Sequence, residues 1–288
     1  LTIPKHIDYD LWCGPAEKRD LLRPSLHYDW HWDYNTGNGD MGNQGIHQMD
    51  IARWFLGEDQ LAPRVLSIGG RLGYEDAADT PNTQIAYFDY PDAPLIFETR
   101  GLPRDKSVQS DWESWKAGMD WYRGSQIGVI VQCEQGYLLI PNSYSEVIAY
   151  DNDGQQIQRW TGGGNHYQNW LKAVEAGDPQ MLNGKIHDGD VSSSMCHLGA
   201  VSHQLGSVTP TAAIAEQVRG NSLLSASFDR LASHLRANDI DIDSEAGAIS
   251  LGPWLDFDHD SLQFSGNDEA NAMVSREYRK PFAVPNVE

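Results

Sequence analysis

Between Arg64 and Trp160 the apolar residues fall in short runs divided by turns, and this spacing restricts the possible folds more than any other feature. Arg64–Leu72, Thr83–Tyr90 and Leu95–Gly101 read as strands, with Pro91, Asp92 and Ala93 joining the last two as a hairpin. Ile127–Glu134, Gly136–Ile140, Glu146–Tyr150 and Gln155–Trp160 follow, with Asn152-Asp153-Gly154 as one of the turns. Connections this short join antiparallel neighbours, because parallel strands need long crossovers. With helices on either side, the fold class is α+β around a largely antiparallel sheet.

The stretch His27–Gly57 carries the densest chemistry. Asn43 suits a helix N-cap, Ile46, Met49, Ala52, Phe55 and Leu56 recur at three- and four-residue steps, and Gly57 suits a left-handed C-terminal residue. His47, Asp50 and Trp54 share a stripe beside that apolar face and can line a cleft. A histidine in the first turn meets the positive end of the helix dipole, which favours neutral imidazole, the form a general base needs. A hydrogen-bonded structural histidine fits the same pattern. Before the helix, His27, Tyr28, Trp30, His31, Trp32 and Tyr34 alternate apolar faces with polar tips, which suits a sugar-like ligand and equally a half-buried strand.

Gly37–Gly42, GNGDMG, matches the dinucleotide pattern G-x-G-x-x-G, with Glu58 and Asp59 near the spacing of a ribose-binding acid. The context opposes a nucleotide site. Trp32, Asp33, Tyr34, Asn35 and Thr36 precede the first glycine where a buried apolar strand is required, and Asp40 sets a negative charge where pyrophosphate would approach.

With 288 residues and 40% hydrophobic content the chain can bury a large core, and its net charge of -20 repels nucleic acid and anionic membranes. Cys13, Cys133 and Cys196 are widely spaced and read as free thiols, with no zinc spacing. No apolar run is long enough for a membrane span. The opening Leu-Thr-Ile-Pro has no methionine or signal-type region, so any export signal is expected upstream of Leu1, and the compartment, cytoplasmic or periplasmic, is not readable.

Residues 1–26 read as an entry segment, extended through LTIPKHIDYDLWCGP with a short helix begun at Pro15, and without evident chemistry. Asp105–Gly124, with Trp112, Trp115, Trp121 and Tyr122, reads as a long loop or irregular helix. Helices return at Asn165–Gly177, whose apolar face is Tyr167, Trp170, Leu171 and Val174, and at Gly189–Gly206, whose small residues allow close packing. His197 and His203 on the latter fit core or surface positions. Pro210 opens one further helix and Ser222–Ala237 forms another; the acidic stretch after them reads as a solvated edge, since Asp256, Asp258 and Asp260 lack the glycine and glutamate of a calcium loop. The ending EYRKPFAVP reads as a docked strand or arm.

GDMGNQGIHQMDIARWFLG, PNTQIAYFDYPDAPLIFETRGLP, HYQNWLKAVEAGDPQMLNG and SSSMCHLGAVSHQLG together resemble the C-terminal domain of the Gfo/Idh/MocA oxidoreductases, in the bacterial branch with an elongated C-terminal region. The likeness runs from about Ile3 to Pro285. It implies an open, mostly antiparallel sheet with helices on one face, a substrate and oligomerisation domain over 27–206, and a helical C-terminal extension of that domain over 207–288. It also implies a Rossmann domain, upstream and not within these residues, that holds NAD or NADP; this chain alone is expected to bind neither. The substrate is implied to be a sugar, polyol or related secondary alcohol, and a homo-oligomer to form through the sheet. His47 matches the family's catalytic histidine in D-x-G-x-H, and Asp50 the acid that follows it. Asn43 stands where the pattern has aspartate, so it can hydrogen-bond substrate but cannot act as a carboxylate base. Glu17-Lys18-Arg19 does not replace the family's Glu-Lys-Pro lysine. Expected site residues are therefore His47, Asn43 and Asp50 for chemistry, and His27, Tyr28, Trp30, Trp32 and Gln44 for substrate, with no cofactor-binding or metal residues. A non-redox carbohydrate-binding module or partner subunit is the alternative, and an NAD-dependent glycosidase or lyase the third reading.

Overall fold

A computed structural model of the chain describes residues 1–244 and 247–285, with Trp112 in its backbone alone. The first helix, α1 (Tyr9–Cys13), begins where the Asp8 carboxylate accepts from the N–H groups of Asp10 and Leu11 at 3.1 Å. The entry segment therefore differs from the expected order. Its helix precedes Pro15, because Asp8 satisfies two first-turn donors there, and residues 17–22 form no regular element.

A π-helical turn, Met41–Gly45, runs without a break into α2 (Ile46–Leu56), and helical backbone begins at Asp40, after a left-handed Gly39. Asn43 lies inside the π turn and is not an N-cap. Gly45 stands at the α2 N-cap position in helical conformation, and a Cβ there would meet the Phe97 ring at 2.7 Å, so glycine allows the helix to close on the sheet. At the far end Gly57 is left-handed, φ 74, with its N–H on the Arg53 and Trp54 carbonyls, as the sequence predicts.

The strands β1 (Arg64–Gly70), β2 (Thr83–Phe88) and β3 (Leu95–Arg100) pair antiparallel, with Val65 opposite Phe88 and Phe88 opposite Leu95. After α3 (Trp112–Ala117), which lies within the Trp-rich connection, β4 (Gly128–Cys133), β5 (Gly136–Pro141), β6 (Glu146–Asp151) and β7 (Gln156–Thr161) form a separate antiparallel meander. The antiparallel character is as expected; the strands divide into two sheets.

Helix α4 (His166–Ala176) is capped by Asn165, and α5 (Ile186–Gln204) packs along β1. A short β8 (Ser207–Val208), then α6 (Thr211–Val218) and α7 (Ser222–Ala237), lead to β9 (Ser250–Leu251), β10 (Leu255–Asp258), β11 (Gln263–Phe264) and α8 (Asp268–Ala272). Within the acidic stretch read as a solvated edge, Leu255–Asp258 is strand, and Glu245 lies outside the described residues. Leu255 and Phe257 point inward while Asp256 and Asp258 point out, and β10 pairs with β1, so an alternating pattern lay beneath the acidic composition.

Every residue of β2 is buried, because helices cover both faces of the first sheet. On one side Val65, Ala86 and Phe88 pack with Met41, Met49, Met195 and Val201 of the α2 region and α5. On the other, Leu66, Ile68, Ile85 and Tyr87 pack with Ile214, Phe228 and Leu231 of α6 and α7. The helical C-terminal extension thus closes the second face of the sheet. The C-terminal arm docks as expected: the Arg279 guanidinium donates to Asp10, Gly14 and Ala16, and Arg276 to the Asn35 carbonyl. The last three residues of the extension lie outside the described ones.

Helix α4 departs from expectation in its packing. Its apolar face is solvent-exposed, with Tyr167 at 71% and Trp170 at 57%, and Asn169 ties the helix to the Met181–Asn183 turn.

Candidate functional site

Because helical backbone starts at Asp40, His47 lies about two turns inside the helix rather than at its positive end, and the dipole argument made from the sequence lapses. Its exposure comes instead from the stripe it shares with Asp50 and Trp54, which turns away from the Met49 face. The π turn at Met41–Gly45 widens the helix immediately before it, and such turns recur where side chains must be re-aimed.

The neighbour of His47 comes from the second sheet. Tyr144, in the turn between β5 and β6, sets its ring 6.2 Å from the His47 ring, centroid to centroid. Its backbone is left-handed, φ 53, an uncommon state for a bulky residue, and its N–H is held by the Pro141 carbonyl at 3.0 Å. Gln44 and Gln48 each donate an amide N–H to the Tyr144 hydroxyl oxygen, at 2.9 and 2.6 Å. With both acceptor positions engaged, that hydroxyl has only its proton left to offer, and it becomes a donor beside the imidazole.

Asp50 faces the other way. Its carboxylate accepts from the Ser192 hydroxyl of α5 at 2.6 Å and from Arg53 at 3.4 Å. Arg53, only 2% exposed, also donates to the Glu58 and Asp188 carbonyls at 2.7 and 3.2 Å. Asp50 and Arg53 therefore fix α2 against α5 and position the His47 stripe. Asn43, on the π turn, is exposed and free to meet a ligand.

The aromatic lead-in forms a layer of its own. Trp30 and Trp32 lie in a 3-10 turn around the buried His31 ring, whose Nδ1 is 2.5 Å from the Tyr28 carbonyl. Tyr28 and Trp32 pack on that ring, and Trp32 carries the Arg23 guanidinium at 4.8 Å. Hydrogen bonds from Asp79 and Tyr34 bind this layer to the loop after β1. His27 and Tyr28 are exposed, and Trp30 opens into a cavity with the entry segment. The geometry thus joins Gln44 to His47 through Tyr144, while Tyr28, Trp30 and Trp32 group around His31.

A nicotinamide dinucleotide does not fit Gly37–Gly42. No strand leads into the first glycine, and Asp40 sits at the helix start where pyrophosphate would need positive potential. Burial raises the Asp40 pKa, opposed by a Trp32 hydrogen bond and by His31. Among the described residues no group of three or more His, Cys, Asp or Glu side chains is arranged to hold a metal ion.

Sequence reading missed Tyr144 and Gln48. Gln48 is one turn from Gln44 and could have been found by spacing. Tyr144 lies a hundred residues away in a polar turn, and only the docking of the second sheet on α2 brings it near.

Residues 1–107 match the family model described as "Oxidoreductase family, C-terminal alpha/beta domain", and the match includes the entry segment, α2 and the first three strands. No curated protein matches the chain. Among solved structures, a candidate NADPH-dependent oxidoreductase from Desulfitobacterium hafniense is 10% identical, with 61% of this chain and 49% of that one covered, at a TM-score of 0.41. An oxidoreductase from Thermotoga maritima is 9% identical, with 63% and 48% covered, at a TM-score of 0.40. The chain spans about half the length of these proteins.

Proposed function

From the match of residues 1–107 to the C-terminal α/β domain of the Gfo/Idh/MocA oxidoreductases, we propose that this chain is the substrate-binding part of an NAD(P)-dependent oxidoreductase. In this reading it acts on a sugar, polyol or related secondary alcohol, and a Rossmann domain elsewhere in the protein holds the nucleotide. The observation that carries the reading is an exposed His47 beside a Tyr144 hydroxyl fixed by Gln44 and Gln48.

Within it, His47 moves the proton of the reacting hydroxyl, and Tyr144 donates a hydrogen bond to the same oxygen. Asn43 offers a neutral amide at the rim and carries no proton. Asp50, held by Ser192 and Arg53, acts as a positioning residue. The proposed domain division takes 27–206 as the substrate domain and 207–288 as its extension, and is supported by β10 pairing with β1 and by α7 closing the sheet. Exposed Trp54 and Ile186, and the exposed apolar face of α4, support a partner surface.

The test is His47→Ala in the complete enzyme. Loss of a general acid or base should lower turnover by about 10²- to 10⁴-fold. Near-normal turnover of a correctly folded variant would sink the assignment. The alternative, a non-redox carbohydrate-binding module, is favoured by the cavity at Trp30, which lies apart from His47; in that case His47→Ala leaves ligand binding unchanged and no NAD(P)-linked turnover is found.

A further inference from the structure

The Trp-rich connection from β3 to β4 is fastened to α7 along one stripe of that helix and its C-terminal end, Arg230, His234 and Asn238. The Asn238 amide donates to the Pro103 carbonyl at 2.8 Å, and Gln109 donates to the Asn238 side-chain oxygen at 2.6 Å. One turn earlier, His234 Nδ1 lies 3.1 Å from an Asp120 carboxylate oxygen, and Arg230 carries the Tyr122 ring at 4.7 Å. Leu102 and Trp115 add apolar contacts to the core on that side of the sheet.

His234 is the buried half of its pair, with a side chain 1% exposed against 42% for Asp120. A carboxylate only accepts, so Nδ1 carries the proton, and the buried Nε2 has no partner among the described residues. A second proton would add a charge and a buried donor without an acceptor. From β3, Arg100 faces the imidazole, bound by Glu98, which Arg230 of α7 also engages. Asp229 and Arg236 of α7 are exposed. β2 and α6, which also pack on α7, bring Ile85, Tyr87 and Ile214, and the Tyr87 hydroxyl accepts from Asn221 at the opposite end of the helix. Burial and Arg100 therefore oppose an imidazolium more than the water-screened Asp120 favours it, and the His234 pKa lies below its ordinary 6.5.

We infer that Asp120 and His234 form an acid-released latch that holds the Trp-rich connection on α7. Neutral His234 keeps it closed, and protonation favours the open connection, in which the imidazolium reaches water. The contribution of the latch is whole above pH 6.5 and is lost as pH falls below it, by up to about tenfold in the closing equilibrium per pH unit. Because β4 follows the connection and packs on α2, opening also loosens the hold on the second sheet. The latch uses none of the His47 chemistry, and the two readings fail independently.

Hydrogen exchange read by mass spectrometry on the full chain, corrected for the intrinsic pH dependence of amide exchange, tests this. Between pH 7.5 and 5.5, protection over residues 103–126 should fall by up to about tenfold while β2 keeps its own. His234→Asn places at the Nδ1 position an amide that reaches Asp120 without titrating, and should hold the change over the same range within about twofold. Asp120→Ala, at a part-exposed position that leaves the core intact, should speed exchange of residues 103–126 about tenfold already at pH 7.5. The inference is overturned if protection there is independent of pH, if β2 loosens equally, if His234→Asn keeps the pH step of the parent, or if Asp120→Ala exchanges like the parent at pH 7.5.

Discussion

Arg53→Ala should loosen the scaffold that aims the His47 stripe. Arg53 is 2% exposed and donates to the carbonyls of Glu58 and Asp188, to the Ser192 hydroxyl and to Asp50. The Asp50 side chain is 27% exposed, so water screens that pair and its Coulomb part is small. The Glu58 carbonyl, at 2.7 Å, makes the strongest of the contacts and would lose a charged donor. Charged hydrogen bonds contribute about 1.5–3 kcal/mol each, and the two long contacts at 3.4 Å add little, so about 3–5 kcal/mol is expected to be lost. In a chain of this size that lowers Tm by roughly 6–20 °C. Differential scanning calorimetry of Arg53→Ala and Arg53→Lys against the parent reads it directly, with lysine recovering only part of the loss because it cannot span both carbonyls. A loss under about 1 kcal/mol for the alanine variant would refute the idea that Arg53 joins α2 to α5.

Tyr144→Phe removes the acceptor shared by Gln44 and Gln48 and leaves Gln48, 8% exposed, with a buried donor, so it should cost about 1–3 kcal/mol by urea denaturation, and His47→Ala much less. Burial pushes the His203 pKa from 6.5 down to about 4, so the unfolded chain binds this proton first. Its contribution is full above pH 6.5 and is lost as pH falls towards 4, by at most about 1.4 kcal/mol per pH unit, and His203→Gln should flatten the stability profile in that window alone. Arg279→Ala should speed hydrogen exchange across residues 9–16 while β2 keeps its protection; equal acceleration of both would show that the arm supports the core as well as the entry segment.

What could be read from the sequence follows the range of each signal. Strand runs, the end of α2 at Gly57 and the end of α4 at Gly177 depend on neighbouring residues, and they appear where local pattern placed them. The start of α2 was misplaced because a π turn has no period to detect, and Asn43 resembles a cap wherever it stands. The strand β10 was hidden because aspartate on its outer face masked the alternation of Leu255 and Phe257. Most of the candidate site was beyond reach for a different reason. His47 and Gln44 lie on one helix, but Tyr144 reaches them through packing of the second sheet, and Tyr9, Trp12 and Trp30 line one cavity although the first two lie well before the third in the chain.

The central claim is that this chain recognises a hydroxylated substrate and leaves the nucleotide to another domain. Isothermal titration of the purified chain with NAD⁺, NADH, NADP⁺ and NADPH, followed by neutral sugars and polyols, addresses it most directly. The account predicts heats of dilution alone for all four nucleotides and a saturable isotherm for at least one sugar or polyol. A saturable nucleotide isotherm, weakened by substitution at Gly37 or Gly39, would contradict it and make the Gly37–Gly42 turn a cofactor site after all.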